Sequence, residues 1–165
     1  MPKRVFVRPA EPGGTDPEVI LAIDHACFTQ GTVNIAAEFE RPWSRLWVAG
    51  EGDAEPRAFL LAWLVVDELH VLSVATLPES RRQGMARALL ERAIAFAREN
   101  DVRTVLLEVR RSNAAAIRLY RAFGFSAAAL RPKYYADNME DAIEMSLVLD
   151  PATGAILPAE DAVSI

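Results

Sequence analysis

A basic loop with a single glycine precedes a predicted amphipathic helix, and its sequence is Arg81-Arg82-Gln83-Gly84-Met85-Ala86-Arg87. Gly84 removes a side chain where the backbone could approach a ligand closely. The first turn of a helix offers unpaired N–H groups and a partial positive charge, which two arginines reinforce. These features predict a pyrophosphate-binding loop. The pattern Arg-x-x-Gly-x-Ala is neither the dinucleotide nor the P-loop fingerprint, so a solvated loop explains it equally well on its own.

A single carboxylate, Glu108, interrupts an apolar strand predicted over Arg103 to Arg110. A carboxylate among Val and Leu residues is costly unless it is paired or used. Burial would make it a better proton acceptor than a surface glutamate, which predicts a role in acid–base chemistry. The structural alternative is an ion pair with Arg110 or Arg118.

Tyr120 lies seven residues after Asn113, so the two side chains share one face of a predicted helix. Ser112 or Asn113 is the expected N-cap of this helix, and Gly124 is the expected residue after its end. A core tyrosine with a satisfied hydroxyl is the more common fate of a helical tyrosine. The histidines and Cys27 lack metal-ligand spacing, so we expect no metal site.

Length, composition and charge predict one soluble domain with a sizeable core. The chain has 165 residues, of which 52% are apolar and 25% charged, and a net charge of −5. The negative charge argues against broad nucleic-acid binding and weakly favours a cationic partner. With one cysteine, no signal peptide and no membrane-length apolar run, we expect a cytoplasmic protein.

Alternating apolar runs and turn signals predict seven strands and four helices. The predicted strands are Arg4 to Arg8, Arg45 to Ala49, Arg57 to Val66, Val71 to Leu77, Arg103 to Arg110, Phe125 to Tyr135 and Glu140 to Leu149. The order β-α-α-β-β-β-α-β-α-β-β predicts a mixed sheet with helices on both faces and parallel fourth and fifth strands. We assign residues 1–150 to the domain and residues 151–165 to a C-terminal tail.

More specific predictions concern the fourth strand, the first helix and the position of a ligand. The fourth strand, from Val71 to Leu77, is apolar enough to be covered on both faces. The first helix should have Asp16 as its N-cap, with Ala26 facing the core, and end at Gly31. A ligand is expected at the C-terminal ends of the two parallel strands.

The basic loop resembles the acetyl-CoA pyrophosphate loop of the GNAT N-acetyltransferases, with Ala86 where that family usually has glycine. The later motifs Leu-Glu-Val-Arg, Ser-Asn-Ala-Ala-Ala-Ile, Leu-Tyr and Gly-Phe are similar to those of the bacterial Rim-type N-acetyltransferases. Those enzymes acetylate the N-terminal residue of a ribosomal protein. The similarity continues through Arg131 to Tyr135 and Glu140 to Met145, and covers about Glu68 to Leu149.

The resemblance implies a GNAT-type mixed, mostly antiparallel α/β fold with a seven-stranded sheet, and acetyl-CoA as co-substrate. It implies that Glu108 is the general base and Tyr120 the general acid that protonates the leaving thiolate. The cofactor-binding residues it implies are Val74, Ala75, Thr76, Arg81, Arg82, Gln83, Gly84, Met85, Ala86, Arg87 and Asn113.

The expected acceptor is a primary amine, and the resemblance favours the N-terminal α-amine of a protein, for example a ribosomal protein. A small-molecule amine, or a non-catalytic acyl-CoA-binding role, is the alternative. Rim-type enzymes carry Phe-Pro-Trp-Ser after the first helix, where this chain has Phe28-Thr29-Gln30-Gly31. Pro42-Trp43-Ser44 occurs only later, so the acceptor-facing segment differs and the acceptor stays open.

Overall fold

The computed structural model describes residues 3–29 and 33–165. The predicted helix end at Gly31 lies outside the described residues. The helices are α1 (Asp16–Cys27), α2 (Ile35–Glu40), α3 (Met85–Glu99) and α4 (Ala114–Phe123), with a 3-10 turn at Pro78–Ser80. The strands are β1 (Val5–Pro9), β2 (Ser44–Glu51), β3 (Ala58–Val65), β4 (Glu68–Thr76), β5 (Thr104–Arg110), β6 (Ser126–Arg131), β7 (Ala142–Leu149) and β8 (Ile156–Leu157).

The strand order is β1-β2-β3-β4-β5-β7-β6, with β8 paired to β7. The mixed, mostly antiparallel α/β fold with parallel β4 and β5 is therefore confirmed, with an eighth strand added by the C-terminal segment. The division into residues 1–150 and 151–165 stays a prediction. Among the residues that the structure describes, no helix has the length and apolar character needed to cross a membrane.

The chain forms two compact units, of which the first comprises Met1–Leu64 and Leu72–Ala95. In this unit β1 pairs antiparallel with β2, and β2 pairs antiparallel with β3. Two isoleucines of α1, three residues apart, join α2 and the strands in one apolar cluster. Its buried members are Ile20, Ile23, Ile35, Leu46, Val48, Phe59, Leu61 and Ala75.

The second unit comprises Val65–Val71 and Phe96–Ile165. Here the first residues of β4 run parallel to β5, from Glu68 opposite Thr104 to Val71 opposite Leu107. Strand β5 continues antiparallel to β7, which also pairs with β6. Burial alternates along β5, as expected for a strand whose two faces differ in exposure.

Helix α4 has the ends that the sequence predicts. The Asn113 side chain accepts a hydrogen bond from the Ala116 N–H at 3.2 Å, as an N-cap should. Gly124 ends the helix in the left-handed region with φ of 105°. A Cβ there would meet Ile156 Cγ2 at 3.1 Å, so both backbone angle and space favour glycine.

Two details of α1 differ from the prediction. Asp16 is the first helical residue, and Thr15 occupies the N-cap position without a side-chain hydrogen bond. Asp16 is buried and accepts hydrogen bonds from the Arg8 guanidinium and the Glu11 N–H instead. Ala26 is exposed, so its predicted position in the core is wrong.

Strand β4 also differs from the expected doubly covered strand. It begins at Glu68 and is not covered on both faces, since Leu72 is 48% exposed and Val74 is only partly buried. The paired register with β5 ends at Val71, so the residues that follow extend beyond that ladder. Apolar composition alone does not show where a ladder ends, which is why the prediction failed here.

Candidate active site

The basic loop follows the 3-10 turn in the first unit and has an unusual backbone. Arg82 has φ of 62° and Gly84 has φ of 85°, so positive φ recurs at alternate residues. The Nε of Arg81 donates a hydrogen bond to the Thr76 carbonyl at 3.2 Å, which ties the loop to the end of β4. Backbone with alternating φ signs can turn successive N–H groups towards one anion.

The backbone at Gly84 faces open space. A Cβ built on Gly84 would meet no atom within 4 Å, so protein atoms leave this position open. Helix α3 begins at the next residue, Met85, which is buried and fixes the start of the helix. The first turn of α3 carries no acidic residue. Its unpaired N–H groups and partial positive charge are therefore not neutralised by a carboxylate of the same turn.

The end of β4 adjoins this loop through its backbone. The Thr76 carbonyl accepts from the Arg81 guanidinium and also lies 3.3 Å from the Cys27 Sγ. Val74 and Ala75 precede it, with Ala75 buried in the apolar cluster and Val74 partly exposed. A strand that continues beyond its ladder leaves backbone groups that an extended amide ligand could pair with.

Glu108 lies on β5 in the second unit, directly opposite Glu144 on β7. Its side chain is 29% exposed, so the predicted burial is only partial. Its ion-pair partner is neither Arg110 nor Arg118 but Arg131, whose Nε lies 3.1 Å from Oε1 of Glu108. Strand alternation explains the exposure, because the residues on either side of Glu108 in β5 point to the opposite face and take the buried positions.

Tyr134 and Tyr135 lie after β6, in the segment 132–141. The prediction that they belong to a strand is therefore wrong. A hydrogen bond with Glu108 raises the pKa of Tyr134. The two tyrosine rings meet edge to face at 5.2 Å, and the Arg110 guanidinium lies 3.9 Å from the centre of the Tyr135 ring. Burial raises the pKa of Tyr135 to about 12.

Tyr120 is 8% exposed and packs against Phe125, with 5.8 Å between the ring centres. Burial, followed by the proximity of Tyr135, raises the pKa of Tyr120 to about 12. Its hydroxyl therefore stays protonated at neutral pH and can donate a hydrogen bond. Asn113 uses its Oδ1 as the cap of α4, which leaves its amide nitrogen as the group that could contact a cofactor.

The predicted site residues thus fall into two sets, one in each unit. In the first unit the structure brings the basic loop to Thr76; in the second it brings Glu108 to Tyr134 and Tyr120 to Tyr135. Sequence reasoning missed Arg131 and Glu144, although cross-strand pairing could have suggested them once the β5–β7 register was known. No group of metal ligands occurs among the described residues.

Comparison with known proteins shows to which protein family the chain belongs. The family model described as acetyltransferase (GNAT) family matches residues 18–125, which is more than half of the chain. The chain therefore belongs to the GNAT acetyltransferase family, whose members use acetyl-CoA.

Individual relatives carry more specific names. The [ribosomal protein bS18]-alanine N-acetyltransferase of Escherichia coli (strain K12) is 47% identical over 92 residues, which are 54% of this chain and 62% of that protein. The chain thus aligns with less than two thirds of that relative's length. A protein of Bacillus subtilis (strain 168), named as a putative enzyme of the same kind, is 34% identical over 111 residues, covering 67% of this chain and 73% of the relative.

Two crystal structures extend the comparison. The ribosomal-protein-S18-alanine N-acetyltransferase from Escherichia coli superposes with a TM-score of 0.78 at 29% identity, covering 98% of this chain and 100% of that one. Nourseothricin acetyltransferase superposes with a TM-score of 0.70 at 28% identity, covering 86% of this chain and 96% of that one.

Proposed function

We propose that this protein transfers the acetyl group of acetyl-CoA to a primary amine, and that the amine is the N-terminal α-amine of a protein. The observation that carries the proposal is the partly exposed Glu108 carboxylate on β5, which lies against Arg131, in a chain of the GNAT family. A carboxylate that is reachable and oriented by neighbours is what proton removal from an amine requires.

Cofactor binding is proposed for the basic loop, the end of β4 and Asn113. The N–H groups at Gln83, Gly84 and the first turn of α3 would bind the pyrophosphate, with Arg81, Arg82 and Arg87 adding positive charge. Met85 fixes the start of the helix and Ala86 keeps its first turn free of bulk. The backbone of Val74, Ala75 and Thr76 would bind the extended amide arm, and Asn113 would contribute its amide nitrogen.

Glu108 is proposed as the general base and Tyr120 as the proton donor. Bound acetyl-CoA supplies a thioester: the amine nitrogen forms the new C–N bond, the C–S bond breaks, and coenzyme A leaves as a thiol. Glu108 takes the proton that the nitrogen loses, directly or through water. Tyr120, protonated at neutral pH, donates a hydrogen bond to the sulfur and then its proton.

Acid–base requirements favour an α-amine over a lysine. An α-amine has a pKa of about 8 and a lysine one of about 10.4. At pH 7.5 roughly a quarter of N-termini are neutral, against about one lysine in a thousand. A single carboxylate such as Glu108 is therefore adequate for an N-terminus, whereas a lysine would need a stronger means of deprotonation. The names of the relatives suggest an N-terminal alanine, such as that of ribosomal protein bS18.

A small-molecule amine is the second candidate acceptor. The acceptor-facing stretch that begins at Phe28 and Thr29 departs from the Rim-type pattern. A crystal structure named for the antibiotic nourseothricin is about as similar over this chain, at 28% identity, as the ribosomal-protein enzyme at 29%. Sequence identity over the superposed chains therefore does not separate these two acceptor classes, whereas the TM-scores of 0.78 and 0.70 favour the ribosomal-protein enzyme.

The deciding experiment is an acceptor panel that follows release of coenzyme A. One arm contains peptides with different N-terminal residues, Ala first, each paired with an N-terminally blocked copy that keeps its lysines. The other arm contains polyamines and aminoglycoside-type antibiotics. We expect turnover with free N-termini only. Turnover with small amines alone would select the second candidate, and thermal stabilisation by coenzyme A without turnover on any amine would indicate a non-catalytic acyl-CoA-binding protein.

A further inference from the structure

Two carboxylates and one guanidinium form a charge cluster on one face of the β5–β7–β6 ladder, hereafter the Arg131 cluster: Glu108, Arg131 and Glu144. Glu108 and Glu144 are direct cross-strand partners. Like charges directly opposite each other destabilise a sheet unless a cation neutralises them. Arg131, at the end of β6, lies against both carboxylates and leaves the cluster with one net negative charge.

The two contacts of Arg131 are unequal. Its Nη2 donates a hydrogen bond to Oε2 of Glu144 at 2.6 Å, while its Nε lies 3.1 Å from Oε1 of Glu108. The pKa of Arg131 is raised chiefly by the hydrogen bond with Glu144 and then by the charge of Glu108. A short charge-assisted hydrogen bond is the stronger kind of contact. Glu144 therefore holds the guanidinium, and the contact with Glu108 is the weaker one.

We propose that Arg131, held by Glu144, is a positioning residue for the base Glu108. It orients Glu108 before the acceptor arrives, and releases it to an incoming ammonium while staying paired with Glu144. This inference rests on the proposed function, because it takes Glu108 as the base.

The other groups around Glu108 are compatible with such an exchange of partners. Tyr134 contacts Glu108 through its hydroxyl, and Tyr135 lies close enough to be influenced by its charge. Both tyrosines are neutral at physiological pH, because a phenol has a pKa of about 10 and both pKa values are raised further. The charged groups that contact Glu108 or lie opposite it are thus Arg131 and Glu144. Arg110, two residues along the same face of β5, is paired with Asp137 and Glu140. Moving Arg131 away exposes two carboxylates to the positive acceptor.

The test compares variants that should act on different kinetic parameters. Arg131→Gln removes the guanidinium that orients Glu108, so kcat should fall by about tenfold while KM for the peptide changes little. Glu144→Gln leaves Arg131 with Glu108 as its sole carboxylate in the cluster. KM for the peptide should then rise more than kcat falls, because the ammonium must compete with Arg131.

Two further variants separate positioning from a structural role. Arg131→Lys keeps the charge and should restore part of kcat, because lysine lacks the fork that reaches both carboxylates. Arg103→Gln removes an equivalent charge near the opposite end of β5, where Arg103 pairs with Asp67, and should leave kcat and KM unchanged.

A readout that needs no turnover keeps this inference distinct from the proposed function. NMR of the side-chain carboxyl carbons at one pH near neutrality reports the surroundings of Glu108, whose signal is assigned by its loss in Glu108→Gln. A change of this signal in both Arg131→Gln and Glu144→Gln, with none in Arg103→Gln, supports the inference; an unchanged signal in either of the first two overturns it. If the wild-type protein acetylates no amine, the proposed function fails, and the NMR spectra still decide whether Arg131 and Glu144 control the surroundings of Glu108.

Discussion

The Glu140 carboxylate accepts the backbone N–H of Ser112 at 2.7 Å, which joins the segment 132–141 to the residues between β5 and α4. Hydrogen bonds from Ser112 lower the pKa of Glu140 to about 2. Arg110, in turn, donates to Asp137 with both terminal nitrogens, at 2.9 and 3.1 Å. The segment that carries Tyr134 and Tyr135 is thereby held at the end of the strand that carries Glu108.

Glu140→Ala should loosen this segment and raise KM for the acceptor more than it lowers kcat. Because the pKa of Glu140 is lowered in the folded state, its stabilising contribution is present above about pH 4.3 and is lost as pH falls towards 2. The difference in Tm between wild type and variant should thus be constant near neutrality and shrink in acid. Hydrogen exchange of the Ser112 amide should be faster in the variant. Glu91→Ala, on the exposed side of α3, serves as control, and equal exchange in both variants would contradict the prediction.

Glu108→Gln should lower kcat by about 100-fold or more, since general-base catalysis contributes roughly 100-fold to 10,000-fold. Coenzyme A binding, measured by calorimetry, should be retained because the substitution changes neither the basic loop nor the end of β4. Glu68→Gln, which alters a partly exposed carboxylate at the start of β4, is the control. Unchanged turnover in Glu108→Gln would remove Glu108 from the proposed role.

Gly84→Glu should abolish acetyl-CoA binding, because it places a side chain and a negative charge in the open space in front of the basic loop. The backbone strain of a non-glycine residue at φ of 85° should also cost about 1 kcal/mol of stability. Gly52→Glu is a matched control: Gly52 lies in the β2–β3 turn with φ of 58° and equally open surroundings. Both variants should lose similar stability in urea denaturation, but only the first should lose the cofactor. Equal cofactor binding in the two would refute the assignment of the loop.

Local signals in the sequence predicted the ends of elements well. Asn113 and Gly124 delimit α4 as expected, because an N-cap and a left-handed C-terminal residue depend on a few neighbouring residues. The buried face of α3, which includes Leu89 and Ala93, follows from helical periodicity alone.

The predictions that failed depend on contacts between residues of different helices and strands. The contact of Glu108 with Arg131 depends on the order β5-β7-β6, which brings together residues that lie far apart in the chain. The sequence predicts Leu72 in the core, but it is exposed because its burial depends on where the β4–β5 ladder ends. The sequence predicts Asp16 as a cap, yet its partner is Arg8 on a neighbouring strand. The contacts of Glu108 and the exposure of Leu72 depend on residues remote in sequence, whereas Arg8 lies only eight residues from Asp16 but on a different element.

Tyr120→Phe should lower kcat by about 100-fold, as loss of one hydrogen-bond donor at a developing charge does, while the packing against Phe125 persists. The same variant should change the stability of the protein in alkali. The folded-state pKa of about 12 exceeds the unfolded value of about 10, so the contribution of Tyr120 is complete below pH 10 and is lost as pH rises through 12. A difference of this size between the two pKa values corresponds to about 3 kcal/mol in the free energy of unfolding.

Urea denaturation between about pH 9 and pH 12 measures this effect. The wild-type free energy of unfolding should fall more steeply with pH than that of Tyr120→Phe. Identical slopes would show that the Tyr120 hydroxyl is not desolvated in the folded protein. Tyr134→Phe, at an exposed tyrosine, should change the slope less.

Asp161→Asn should destabilise the protein although the residue lies near the C-terminus. The Asp161 carboxylate accepts from Arg121 at 2.8 Å and from the Ala127 N–H at 2.9 Å, and Ala162 donates to the Ala127 carbonyl. These contacts cover backbone groups of β6 next to its bulge, where an uncovered strand could pair with another chain. Since the ion pair is about one third exposed, solvent screening limits the expected loss to about 1 kcal/mol.

The pH dependence of this loss of stability shows whether it comes from the charge of the Asp161 carboxylate or from the packing of its side chain. The hydrogen bond from Arg121, followed by that from Ala127, lowers the pKa of Asp161, so its contribution is present above about pH 3.9 and is lost below it. Wild type and Asp161→Asn should therefore differ in urea denaturation at about pH 7 and converge as the pH falls through the lowered pKa of Asp161. Asp53→Asn, at an exposed position in the β2–β3 turn, should match wild type throughout. A difference that persists in acid would assign the loss to packing of the C-terminal segment and not to the charge of Asp161.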